Sequence, residues 1–486
     1  MRDGSARGCR SAFAGSWDVR GHQCRIAWLG SLRPPRPGPG RPMMTTALLP
    51  PSAPGGLPLL GHLPALARDP LGFFLGLRAH GPVVRIGLGT RVAYVLTEPE
   101  LVRRVHVSEQ HRFDKGGALI EKVRDYAGNG LATCPAADHA VQRPLMQPAF
   151  QRDRLVGYGT VVRDAIEEVT GEWTHGRVVD LSVEMHRLTT LVTSRTLVAA
   201  DRGAPAAGRI AEGLPDITRG MYWRMVVPGK VFPRIPLQVN RRFDEQTART
   251  RAAVDAVVEQ YRADPADRGD LLSAVLAACE EDPDPRRAVY DQVITLLTAG
   301  VETAASAMTW TLRAVDGAPE VRDRIVEEAV GVLGGRVPAH ADLASLGHAQ
   351  RAVTEALRLR PPVWLVSRCA TEDVDWPEGR IPAGADVFFS PYALHRDEAV
   401  FPEPEVFDPG RWAAERVTAA QRGGFFGFGA GRRKCIGDAL AVNEVTAVVA
   451  AVLSRFRLVH REPGLATTTT RMLLMPSATW VRVERR

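Results

Sequence analysis

Near the end of the chain a cysteine closes a loop dominated by glycine and basic residues, Phe428-Gly429-Ala430-Gly431-Arg432-Arg433-Lys434-Cys435-Ile436-Gly437. The apolar spacing that follows predicts a helix from about Asp438 to Phe456. A cysteine ahead of a helix meets unpaired backbone N–H groups and the positive end of the helix dipole. Arg432, Arg433 and Lys434 add charge of the same sign. Both effects favour the thiolate, so the Cys435 thiol is expected below its ordinary pKa and suited to bind a metal. The fold must therefore bring a pocket to this sulfur. The other cysteines (Cys9, Cys24, Cys134, Cys279 and Cys369) are scattered, with no close pair. That pattern argues against a disulfide framework and against a zinc site.

The net charge of +7 raises the question of nucleic acid. Eight arginines in residues 1–42, against Asp3 and Asp18, account for +6 of it and leave the rest of the chain near +1. Nucleic acid is accordingly not expected as a partner. No stretch approaches the roughly 18 unbroken apolar residues of a membrane helix, and no segment reads as a secretory signal. The expectation is a soluble cytoplasmic protein with no transmembrane anchor.

Residues 1–43 include a Pro/Gly-rich run, Pro34 to Pro42, that cannot pack a core, and disorder is expected there. Met43 and Met44 follow at once. The expectation is that translation begins at this point and that the basic leader is an artefact of start-site choice. Residues 44–486 read as one domain. Val83 to Ile86 and Val92 to Thr97 flank Gly87 and Gly89 as a hairpin. From about 100 to 360 the pattern is mainly helical, clearest over Leu181 to Val198 and Tyr290 to Val315. Beyond Pro361-Pro362 short strands and loops take over. The fold class is mainly α with small β-sheets.

Four motifs carry a resemblance. Phe428, Gly431, Arg433, Cys435 and Gly437 match Phe-x-x-Gly-x-Arg-x-Cys-x-Gly, which resembles the haem-binding signature of the cytochrome P450 family. Ala299-Gly300-Val301-Glu302-Thr303-Ala304 is similar to the family's oxygen-activation motif, although Ala304 stands where many members carry Thr or Ser. A glycine inside a helix costs about 1 kcal/mol relative to alanine, and Gly300 is expected to leave room for dioxygen and substrate. Glu355-Ala356-Leu357-Arg358 resembles the family's buried Glu-x-x-Arg pair, joined by Arg411 of Phe407-Asp408-Pro409-Gly410-Arg411-Trp412. His139 and Arg143, four apart on one helix face, resemble the helix that binds haem propionates, with Arg368 and Arg433 as further propionate cations.

The resemblance covers residues 44 to about 486 and implies the family fold, a triangular α-helical prism around haem b. It implies Cys435 as axial iron ligand, with Phe428, His139, Arg143, Arg368 and Arg433 around the cofactor. It assigns Gly300, Glu302 and Thr303 to catalysis, with Glu302 relaying protons and the Thr303 hydroxyl bonding the bound oxygen. The implied reaction consumes a substrate RH, O2, two electrons and two protons, and yields ROH and water. Electrons are expected from a separate ferredoxin and ferredoxin reductase, with Arg432 and Lys434 at the docking face. Phe113 to Leu131 and Arg219 to Pro228 should border the pocket. Both resemble stretches of actinobacterial monooxygenases that oxidise cyclic sesquiterpenes, so a cyclic sesquiterpene such as pentalenene is the expected substrate. A fatty acid or a macrolide is the alternative within the class. A non-catalytic haem-binding sensor or carrier is the alternative outside it.

Overall fold

A computed structural model of the protein describes residues 49–198, 208, 213, 215–224, 232–264, 266–460, 468–470 and 472–486. The basic leader, Cys9, Cys24 and the stretch Met225 to Pro228 lie outside the described residues. The hairpin expected from the two β-rich runs forms as β1 (Val83–Leu88) and β2 (Arg91–Leu96), antiparallel, with Gly89 at φ +65° in the turn. They belong to a five-stranded sheet with β3 (Phe113–Asp114), β4 (Val366–Ala370) and β5 (Asp386–Phe389), in the order β1-β2-β5-β4-β3. β2 and β5 are parallel, and the other neighbours are antiparallel. The sheet therefore brings Asp114, Arg368 and Asp386 from distant sequence onto adjacent strands.

Helices make up most of the rest. Those that position the site are α1 (Gly117–Ala127), α2 (Ala136–Met146), α3 (Leu181–Leu197), α4 (Gln238–Ala263), α5 (Pro285–Asp316), α6 (Gly347–Leu359) and α7 (Asp438–Arg455). α5 starts where sequence chemistry says it should. Pro285 occupies the first turn, and the Asp284 carboxylate accepts from the Arg287 N–H. It runs a turn further upstream than the apolar spacing alone suggests, because that cap extends it.

Two apolar cores flank the site. One gathers the second half of α5 (Ala304 to Val315) with α3, α6 and α7. The other gathers its first half (Val289 to Val301) with α1, α4 and the helical residues Ile217 and Met221. Gly300, Glu302 and Thr303 fall where the two cores meet. Among the described residues, no helix is long and apolar enough to cross a membrane.

Candidate haem site

The cysteine loop is shaped by two residues with positive φ, Gly429 (+70°) and Gly431 (+64°). Gly431 is required twice over. Its backbone suits glycine, and a Cβ there would lie 1.8 Å from the His106 carbonyl oxygen. The Cys435 N–H donates to the Phe428 carbonyl at 2.9 Å, folding the loop back on itself, and Phe428 packs on the first core. The Gly437 N–H donates to the Cys435 sulfur. Arg143 of α2 reaches across to donate to the Lys434 carbonyl at 2.5 Å, next to the cysteine.

One expectation is corrected here. The Cys435 thiol is raised rather than lowered, because burial outweighs the Gly437 N–H, Arg143 and Lys434, and Asp438 pushes the same way. The residue still keeps an accessible face. A metal ion bound at Cys435 would supply the charge that favours the thiolate.

Beside the loop, cations converge. Arg368 on β4 is buried, and its Nη1 donates to its own neighbour's carbonyl, Ser367. Burial and the nearby Arg433 lower it to about 10. Lys115, just after β3, is lowered to about 7 by burial and then by Arg368 and Arg433. His139 on α2 is lowered to about 4, by burial first and then by Arg433, Arg143 and Lys115. Against these stands Asp114, which accepts from Arg433 at 3.1 Å, from the Lys115 N–H at 2.6 Å and from the Ala136 N–H at 2.9 Å. Among the described residues, neither Lys115 nor Arg368 has a carboxylate partner within ion-pair distance. The cluster is short of negative charge, and the two propionates of a haem fit that deficit.

Lys115 was missed by sequence reasoning, which read its loop only as a pocket border. Arg143 also ties α2 to the cysteine loop. Its Nη1 donates to the Arg432 and Lys434 carbonyls and its Nε to Gln147, so it braces the loop.

On α5, the Thr303 hydroxyl donates to the Ala299 carbonyl at 2.5 Å, the back-bond typical of threonine in helices. Gly300 was expected to open room for dioxygen. A Cβ there would meet Thr193 of α3 at 3.1 Å, so the missing side chain also allows two helices to approach closely. The loop before α2 is fastened to α5. Asp291 accepts from the Asn129 N–H at 2.7 Å, and Gln292 accepts from the Leu131 N–H at 3.0 Å and donates to Gln142 of α2 at 2.9 Å.

Behind the cysteine loop lies a buried ionic network. Glu355 and Arg358 have fully buried side chains and are joined at 2.8 and 2.9 Å. Arg411 donates to Glu355 at 3.2 Å, and the Trp412 indole N–H at 2.8 Å. Arg358 also donates to the carbonyls of His395, Pro404 and Val406.

His395, which sequence reasoning did not single out, links this network to the cysteine loop. The Phe426 N–H donates to its Nε2 at 2.8 Å, so Nδ1 carries the proton and donates to the Arg358 carbonyl at 3.0 Å. Burial pushes His395 from the ordinary 6.5 to about 3. A histidine held neutral in the folded state stabilises it fully above about pH 6.5. That contribution is lost as pH falls towards 3, because the unfolded chain binds the extra proton. Between pH 6.5 and 4.5 the stability of the wild type is expected to fall faster than that of His395→Gln, by up to about 1.4 kcal/mol per pH unit. Urea melts across that range measure the two slopes, and parallel slopes would contradict the assignment.

The model of the family described as Cytochrome P450 matches residues 50–480. The chain belongs to the cytochrome P450 family. As a cytochrome P450 it is a haem enzyme and a monooxygenase. It is 41% identical to cyclooctatin synthase of Streptomyces melanosporofaciens, over 87% of this chain and 95% of the relative. It is 38% identical to pentalenene oxygenase of Streptomyces avermitilis, over 84% and 91%. It is 39% identical to cyclooctat-9-en-7-ol 5-monooxygenase of Streptomyces melanosporofaciens, over 84% and 89%. In structure it resembles the cytochrome P450DA heme domain, with a TM-score of 0.81 at 24% identity, covering 90% of this chain and 98% of that one. The expected P450 fold, mainly α with small β-sheets, is borne out.

Proposed function

We propose that this P450 oxidises a cyclic terpene, inserting one atom of O2 into an apolar ring system. The observation that supports the reading is a cysteine at the end of a glycine-shaped loop beside a cluster of cations, Lys115, Arg368 and Arg433, that lacks matching carboxylates. The relatives named above supply the substrate class, and they include both a hydrocarbon oxygenase and an enzyme acting on an alcohol. Cys435 would be the axial ligand of haem b, with Lys115, His139, Arg368 and Arg433 meeting its propionates. The chemistry that such a haem supplies is dioxygen activation, which a thiolate ligand favours.

The chain's own residues would do the rest. The two cores would present apolar side chains to the substrate and exclude water. Glu302 takes up protons at its carboxylate and passes them towards Thr303 Oγ1, which holds one in place. For that, Thr303 must exchange its bond to the Ala299 carbonyl for one to the incoming oxygen.

The test is a Soret-shift titration of the haem-loaded protein with cyclic sesquiterpene and diterpene hydrocarbons and alcohols, followed by product analysis with NADPH, ferredoxin and ferredoxin reductase. A shift with fatty acids or macrolides and none with terpenes would displace the substrate class. NADPH consumption without an oxygenated product would favour a carrier or sensor.

We further propose that a cytoplasmic ferredoxin docks beside the cysteine loop, where Arg432 and Lys434 are exposed. Lys434 is part-neutralised by Asp438 at 2.5 Å, so Arg432 carries more of the attraction. Reversing both charges is expected to slow ferredoxin-dependent reduction about tenfold at low salt and to flatten its salt dependence. Stopped-flow reduction rates across a salt series check this. An unchanged rate would move the docking face elsewhere.

A further inference from the structure

Among the described residues, two that are not glycine hold a positive φ, Leu59 (+63°) and Glu403 (+50°). Leu59 is also 82% exposed, more than any other large apolar side chain described. A leucine in the left-handed region is strained, and leaving it in water offsets none of that strain. It does not stand alone. Leu57, Leu60, Leu63 and Val92 are 51, 50, 37 and 53% exposed. Residues 53–67 contain no Asp, Glu, Lys or Arg, and the six-residue helix Leu63–Arg68 buries none of its side chains. Single exposed leucines need no explanation, but a continuous apolar edge marks an interaction surface.

The edge is built into the fold. Leu57 and Gly61 exchange backbone hydrogen bonds at 2.9 and 2.8 Å, closing a tight loop over Pro58, Leu59 and Leu60. Gly61 pairs with Leu88 and lies so close to β1 that a Cβ there would meet the Gly87 carbonyl oxygen at 2.4 Å. Gly87 stands opposite Val92 in the hairpin. The Gly89 N–H, in the hairpin turn, donates to the Leu60 carbonyl at 3.2 Å. His62 is buried beneath: its Nδ1 accepts from the Gly87 N–H at 2.8 Å, and its Nε2 donates to the Ala53 carbonyl at 3.1 Å. The loop therefore lies across the tip of the hairpin, its backbone tied to β1 and its leucines turned out. Cations border it. Arg68 and Arg91 are exposed, and Lys122 is near enough to Arg91 to be lowered by it, after burial. The acidic residue next in the chain, Asp69, accepts from the Gly72 N–H.

We propose that residues 57–63 and Val92 dock the enzyme reversibly on the surface of an anionic lipid bilayer. Leucines on a rigid loop enter the boundary between headgroups and acyl chains, while Arg68 and Arg91 meet the lipid phosphates. A second copy seated on the same edge would bring like charges together, whereas anionic lipid complements them. The contact also has a use. An apolar substrate collects in a bilayer rather than in water, so an enzyme docked there works where its substrate is concentrated.

The experiment sediments the full-length holoenzyme with vesicles of dioleoyl phosphatidylcholine, with and without about one third dioleoyl phosphatidylglycerol, and no substrate. At low salt the wild type is expected to partition onto the anionic vesicles about tenfold or more strongly than onto the neutral ones. Leu59→Glu/Leu60→Glu changes exposed side chains only, and should lose about tenfold or more of that partitioning with its thermal melt unchanged. Leu59→Asn is the second variant. Asparagine tolerates the left-handed region better than leucine, so this protein should melt at or above the wild type yet partition about threefold more weakly. A wild type that binds neither vesicle overturns the assignment. Variants that partition like the wild type also overturn it, and assign the binding to the basic residues 1–42. A wild-type dimer that Leu59→Glu/Leu60→Glu dissolves, without vesicle binding, gives the edge to a second copy and overturns it too. None of these readouts involves a substrate, so each leaves the terpene reading to its own test.

Discussion

Cys435→Ser is expected to fold and to lose all monooxygenase activity. The loop is held by backbone bonds that serine keeps: its N–H to the Phe428 carbonyl, and the Lys434 carbonyl to Arg143. The positive-φ glycines are also untouched. What disappears is the sulfur. A serine oxygen in a site where burial already disfavours the anion is a far poorer iron ligand, and the electron donation that favours O–O cleavage goes with it. The reduced, CO-treated variant should lack the thiolate-type Soret band, while its thermal melt stays within a few degrees of the wild type. A variant that still makes product would sink the assignment of the ligand.

Glu355→Ala is expected to be the most destabilising single change outside the cysteine loop. It strips Arg358, whose side chain is fully buried, and Arg411, 6% exposed, of the carboxylate they share. It also leaves the Trp412 and Asp408 N–H groups without an acceptor. Breaking a buried ionic network in this way costs roughly 3–5 kcal/mol. Glu355→Gln keeps one carbonyl acceptor but not the charge, and should fall between the two. Because His395 passes the network's position on to the Phe426 N–H, haem retention should fall together with stability. Chemical denaturation alongside haem-to-protein absorbance ratios checks both. A Glu355→Ala protein as stable as the wild type would mean that the network is ornamental.

Much of this was legible because its signals are local. The cysteine loop, the helix over Leu181 to Val198 and the Glu355–Arg358 pair are spacings within one element, and spacing survives in a sequence. Arg411 was found because a short motif stood in for a contact made across 56 positions. Lys115 and His395 had no such stand-in. Each matters because of what the sheet or the loops bring beside it from far along the chain. The direction of the Cys435 shift was misjudged for a related reason: counting basic neighbours sees charge but not burial. The closeness of Thr193 to Gly300 was invisible for the same reason: periodicity shows that a face is small without showing which helix leans on it.

The long helix α5 is gripped along its first half by one core and along its second half by another. Between them lies a turn in which a threonine side chain shares a carbonyl with the backbone ladder. Thr298, Thr309 and Thr311 make the same back-bond on either side, so the ladder is loosened at several turns along the helix rather than at a single hinge.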